Sequence, residues 1–104
     1  MTVGRWMCRA EYVQMLVSGR VQESFSGTTH VLLPPDSASF RRQAKPGDLY
    51  VEFDVPSNCL RMTGIGWAKI IGPRSLQGRY AARTGRAVPR MPVADKIRHV
   101  ATKR

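Results

Sequence analysis

Apolar and polar residues alternate most regularly between Leu49 and Pro56. Leu49, Val51, Phe53 and Val55 occupy one set of alternate positions, and Tyr50, Glu52 and Asp54 the other. Successive side chains of an extended chain point to opposite faces, so the run predicts a half-buried strand ended by Pro56. Val3 to Met7 has the composition of a shorter strand, with Arg5 and Trp6 on opposite faces. From Ala10 the spacing changes to Tyr12, Met15 and Leu16, with Val13 beside them, which predicts a helix with one apolar face, closed by Gly19. After the turn-rich stretch Glu23 to Gly27, Thr28 to Leu33 is β-branched and is closed by Pro34 and Pro35, the pattern of a second strand.

The remaining elements are shorter. Asp36 or Ser37 is placed to cap a short helix through Gln43, and Lys45-Pro46-Gly47-Asp48 reads as a turn. Trp67 to Ile71 predicts another strand, stopped by Gly72 and Pro73, after which Ser75 caps a short helix toward Arg83. Gly85 to Pro92 reads as a loop and Lys96 to Ala101 as a last edge strand. Together these elements predict an α+β fold: one small domain over residues 1–104, with short helices packed on a mixed, mostly antiparallel sheet.

Length and composition agree with that reading. A chain of 104 residues with 42% hydrophobic and 23% charged residues has the make-up of a single globular domain with one core. No apolar run approaches the roughly 18 residues that a membrane-spanning helix needs, so a soluble domain is expected. The two cysteines, Cys8 and Cys59, lie too far apart in sequence for a paired zinc motif, and serve either as one disulfide in an oxidising compartment or as two free thiols. Charge changes the picture more. The net charge is +10, and residues 73–104 carry nine basic side chains against the single acid Asp95, so that segment holds +8 and the rest only +2. Such a field favours a polyanionic partner: RNA or DNA held by the basic tail, or an acidic protein face.

The chain has no phosphate-cradling glycine loop, no HExxH and no GxSxG. Gly64-Ile65-Gly66 reads as a turn. Four groups of residues remain as candidates for chemistry. Glu52, one of three glutamates, sits on the polar side of a strand, where it either accepts a proton or a ribose hydroxyl or pairs with a nearby arginine. Arg5 offers a two-pronged fork that either grips a phosphate or forms a surface salt bridge. Ser24, Ser26, Thr28 and Thr29 cluster their hydroxyls, a pattern that often serves only the local backbone. His30 is either a base near neutral pH or a packed residue. Trp6 and Trp67 are the aromatic candidates for stacking on a base.

The segments Arg5-Trp6-Met7, Glu11-Tyr12 with Met15, Gly19-Arg20-Val21-Gln22, Gly27-Thr28-Thr29, Tyr50 to Pro56, Gly66 to Ile70, Gly72-Pro73 with Ser75, and Met91-Pro92 together resemble the TreTu-type toxin domain, found at the C-terminal tips of bacterial Rhs polymorphic toxins. The resemblance runs over roughly residues 4 to 98. It implies an ADP-ribosyltransferase-like fold and an enzyme that splits NAD, its co-substrate, and places ADP-ribose on elongation factor Tu, stopping translation. It also implies delivery into the target-cell cytoplasm as part of a larger Rhs effector, by a type VI secretion system, and a cognate immunity protein, expected from charge to be acidic.

The arginine, serine/threonine, glutamate pattern of such enzymes transfers to Arg5 for an NAD phosphate, Thr28 or Thr29 for the nicotinamide pocket with Trp6 as a further NAD contact, and Glu52 to stabilise the cationic ribose. The arginine and the carboxylate are then expected to meet across the sheet. Transferases of this class usually carry their glutamate late in the chain, whereas no glutamate follows residue 52 here. Either the order of elements is altered, or Glu52 is structural and Gln22 contributes. The competing reading is a basic toxin ribonuclease with His30 and Glu52 as acid and base, its arginine-rich tail holding RNA phosphates and an acidic immunity protein inhibiting it. A non-catalytic nucleic-acid or ribosome-binding module ranks third.

Overall fold

Six short strands hydrogen-bond into one sheet whose four inner strands carry the buried faces, and the first of two short helices packs a single side chain into the core. A computed structural model describes residues 1–104. In chain order the elements are β1 (Thr2–Met7), α1 (Arg9–Ser18), β2 (Thr28–Leu32), β3 (Leu49–Asp54), β4 (Leu60–Gly64), β5 (Trp67–Ile71), α2 (Leu76–Arg83) and β6 (Asp95–Thr102). The strands lie in the order β4-β5-β2-β1-β3-β6. Every pairing is antiparallel, so the α+β expectation holds and the sheet has no parallel part.

Directly opposed residues on paired strands share a face. One face carries Val3, Met7, Val31, Leu49, Val51, Phe53, Ala68 and Ile70, all buried, and packs with Met15 and Val21 into the core. Removing these side chains from water supplies the main favourable term in folding. Helix α1 lies on this face but buries only Met15. Val13, Leu16 and Val17 are exposed and Tyr12 is half-buried, so the apolar stripe expected there is narrower than the spacing suggested. Gly19 closes the helix at φ 67, as expected, with its amide on the Met15 carbonyl.

Other boundaries also follow the sequence. Ser75 Oγ accepts from the Gly78 amide and caps α2. Ile65 and Gly66 form the turn of the β4–β5 hairpin, with Gly66 at φ 88. Strand β6 is the sheet edge predicted at the C-terminus. The helix expected from Asp36 to Gln43 does not form. Asp36 instead accepts from the Ala38 amide and the Ser39 hydroxyl, and Phe40 at φ 59 breaks the run, leaving only a 3-10 turn at Arg41–Gln43. Cys8 and Cys59 are both free thiols. No helix is long and apolar enough to cross a membrane.

Candidate functional site

The second sheet face carries Gly4 and Trp6 from β1, His30 and Leu32 from β2, Tyr50 and Glu52 from β3, and Trp67 from β5, as the pairings Gly4 with Leu32 and Glu52, Trp6 with Tyr50, and Leu32 with Trp67 require. Glu52 and Asp54 are only half-buried, but Tyr50 is completely enclosed. The polar-looking side of β3 is therefore covered at one end. Its ring packs against Trp6 with centroids 5.4 Å apart, and a methyl group at Gly4 would collide with the Tyr50 ring and hydroxyl. Glycine is required there because the phenol occupies the space a side chain would take.

Between β1 and β2 the ladder has a single registered pair, Gly4 with Leu32. Beyond it the strands diverge, and a cavity of about 360 Å³ opens at the split. Its walls are Gly4, Arg5 and Trp6 from β1, His30, Val31 and Leu32 from β2, Trp67 from β5, and Phe40, Gln43, Ala44 and Asp48 from the segment that follows β2. His30 and Trp67 pack as a tilted pair, centroids 5.0 Å apart. Burial, then the charges of Arg5 and Lys69, hold the His30 imidazole below its ordinary pKa, so a neutral ring is favoured beside the cavity. Trp6 Nε1 is buried with no hydrogen-bond partner, an orphaned donor of the kind a ligand acceptor satisfies.

Arg5 bridges the split. Its Nη1 donates to the His30 carbonyl at 2.8 Å, while Nε and Nη2 donate to the two Glu11 oxygens at 2.6 and 3.2 Å. The guanidinium thus supplies one of the contacts between β1 and β2 that the missing ladder does not. By register Arg5 shares its face with Val51, whereas Glu52 pairs with Gly4 on the opposite one. The expectation that the two side chains meet across the sheet is corrected: their places in the strands differ by one pleat, which sends them to opposite sides. Arg5 borders the cavity at the split, and Glu52 is not among its walls.

Glu52 accepts from the Tyr50 hydroxyl at 3.1 Å and pairs with Arg98 of β6 at 3.6 Å. The threonines behave differently from each other. Thr29 is fully buried on the core face; its hydroxyl donates to the Gln22 carbonyl and accepts from the Ser24 amide, so it holds the preceding loop and does not reach the cavity. Thr28 shares the His30 face by alternation and is half-buried, but it is not a wall of the cavity either. The cavity therefore gathers Trp6, His30, Trp67 and Arg5, with Glu52 beside it on the same sheet face.

Phe40, Gln43 and the adjoining Arg41 were not legible as site residues. A helix expected over that stretch hid them, although an aromatic followed by two arginines is the composition of a binding rim.

This arrangement defines a small, strongly basic α+β domain with a ligand-sized, aromatic-walled cleft at a split in its sheet. The chain matches the model of the family described as TreTu toxin, C-terminal domain, over residues 1–98, and it belongs to that family. It is a bacterial toxin domain, of the kind carried by a secreted effector. Among curated proteins, none matches the chain.

Proposed function

We propose that the domain is an ADP-ribosyltransferase that takes ADP-ribose from NAD and transfers it to elongation factor Tu, blocking translation in the recipient cell. The observation that carries this reading is the cleft at the β1–β2 split. It is large enough for part of a dinucleotide, flanked by the flat rings of Trp6 and Trp67, and it has the Trp6 indole N–H unsatisfied beside it. An enzyme of this type breaks the bond between nicotinamide and ribose C1′, with the electron pair leaving on nicotinamide. A nucleophile of the target then bonds to C1′ and its proton passes to solvent. Positive charge develops on the ribose along the way, and Glu52 is the one carboxylate on the cleft's face of β3 held by a phenol, so it is assigned to stabilise that charge. Trp6 contributes to NAD binding as a wall of the cleft. Arg5 is a positioning residue that fixes the width of the split.

In the same reading the target is elongation factor Tu, delivery is as the tip of an Rhs effector through type VI secretion, and an acidic immunity protein faces residues 73–104 by charge complementarity.

Labelled NAD incubated with the domain and a bacterial lysate tests the reaction. A labelled band at the size of elongation factor Tu, lost in Glu52→Ala, with RNA intact, is the expected result. RNA degraded without NAD and no labelled protein would replace the transferase with the ribonuclease in which His30 and Glu52 act as acid and base.

A further inference from the structure

We infer that Arg41, at the rim of the cleft, is the side chain that takes up the diphosphate of the bound dinucleotide. The inference rests on the transferase reading for the ligand's identity, but on the geometry alone for the anion site.

The fork of Arg5 is already in use. Three of its nitrogens are committed to Glu11 and the His30 carbonyl, and Glu11 neutralises its charge at 2.6 Å. A phosphate arriving there would have to displace a carboxylate from a site where both side chains are less than one-fifth exposed, and the displaced Glu11 would lose its partner. Arg41 has no such engagement. Its guanidinium lies 5.8 Å from the centre of the Trp6 ring, within cation–π range, and takes part in none of the chain's three ion pairs. Trp6 is a wall of the cleft, and although Arg41 is not itself one, its neighbours Phe40 and Gln43 are, which places it next to the cleft's lining.

The surroundings keep that cation free for an incoming anion. Phe40 in the left-handed region turns the chain so that Arg41 and Arg42 follow directly, and the Lys103 ammonium donates to the Arg41 carbonyl at 2.9 Å, bringing another positive charge to the same turn. The two acids of this segment are occupied locally: Asp36 accepts from the Ala38 amide and the Ser39 hydroxyl, and Asp48 accepts from the Lys45 amide. Arginine suits a diphosphate because its planar fork can hold two oxygens at once.

Calorimetric titration with inorganic pyrophosphate and, separately, with ADP-ribose tests the assignment on the whole domain. Arg41→Ala is expected to weaken pyrophosphate binding at least about tenfold, with Arg41→Lys in between, while Arg42→Ala, which removes the same charge next door, stays near the unaltered protein. Arg41 is exposed, so folding is expected to survive, and a thermal melt checks it. No pyrophosphate binding to the unaltered domain, or an equal loss in Arg41→Ala and Arg42→Ala, overturns the site. Pyrophosphate binding that depends on Arg41 with no binding of ADP-ribose leaves the anion site standing and removes the NAD reading instead. In the transfer assay, Arg41→Ala is expected to raise KM for NAD by a larger factor than it lowers kcat.

Discussion

The Tyr50 hydroxyl donates to Glu52 Oε2 at 3.1 Å, two residues along the same face of one strand, so the only glutamate of β3 is oriented by the most deeply enclosed phenol in the domain. Tyr50→Phe keeps the ring and removes the donor. It is expected to lower stability by about 1 kcal/mol and to reduce NAD turnover more than NAD affinity, readable from urea denaturation and steady-state kinetics. Unchanged turnover would separate this pair from the chemistry.

Burial first, and then the Glu52 charge, push the Tyr50 phenol far above its ordinary value. In the unfolded chain the same phenol ionises near pH 10. The folded state therefore holds the proton longer. The stability linked to Tyr50 is complete below about pH 10 and falls as pH rises beyond it, since the unfolded state then binds fewer protons. Denaturation midpoints taken between pH 8 and 11 should decline over the upper part of that range, and less so in Tyr50→Phe.

Arg5→Ala leaves Glu11 and the His30 carbonyl without their shared donor. A loss of about 1 to 3 kcal/mol is expected. Arg5→Lys should recover only part of it, because one ammonium cannot serve both partners from the same position. Glu11→Gln should mirror the arginine variant if the pair acts as a unit, and a double-mutant cycle measures that coupling. Additive effects would show that the two side chains act independently.

His30 carries a lowered pKa, from burial first and then from Arg5 and Lys69. Its imidazole should titrate below the ordinary value of about 6.5 when followed by NMR. The unfolded state then binds the extra proton first, so this residue's share of stability is present at neutral pH and is lost as pH falls below about 6.5 toward the folded value. Removing the cationic neighbour in Arg5→Ala should move the midpoint upward.

Ser75 both donates to the Gly72 carbonyl at 2.6 Å and accepts from the Gly78 amide at 3.0 Å. Ser75→Ala is expected to cost about 1 kcal/mol, seen as a lower melting temperature. The effect should be local, because Gly78 is the only buried residue of α2.

Much of this architecture is visible in residue patterns. The alternation from Leu49 to Val55, the Ser75 cap and the Gly19 stop each depend on neighbours in sequence, and each appears where local chemistry places it. Strand β4 was not legible: Arg61, Met62, Thr63 and Gly64 are all exposed on an outer strand, so no buried alternation marks it. The enclosure of Tyr50 depends on the Trp6 ring and the bare backbone of Gly4 on the neighbouring strand, which no local period announces. Arg5 and Glu52 were both recognisable as unusual, but their relation depended on register. Only the pairing of Gly4 with Glu52 reveals that they leave the sheet in opposite directions.

The single rung joining Gly4 to Leu32 divides the sheet into two three-stranded ribbons, β4-β5-β2 and β1-β3-β6. Backbone ladders make each ribbon stiff, while the seam between them depends heavily on side chains such as Arg5 at its mouth. The breadth of that seam is therefore adjustable by substitution without disturbing either ribbon's pleating, which gives this domain a way to change what it admits while keeping its frame.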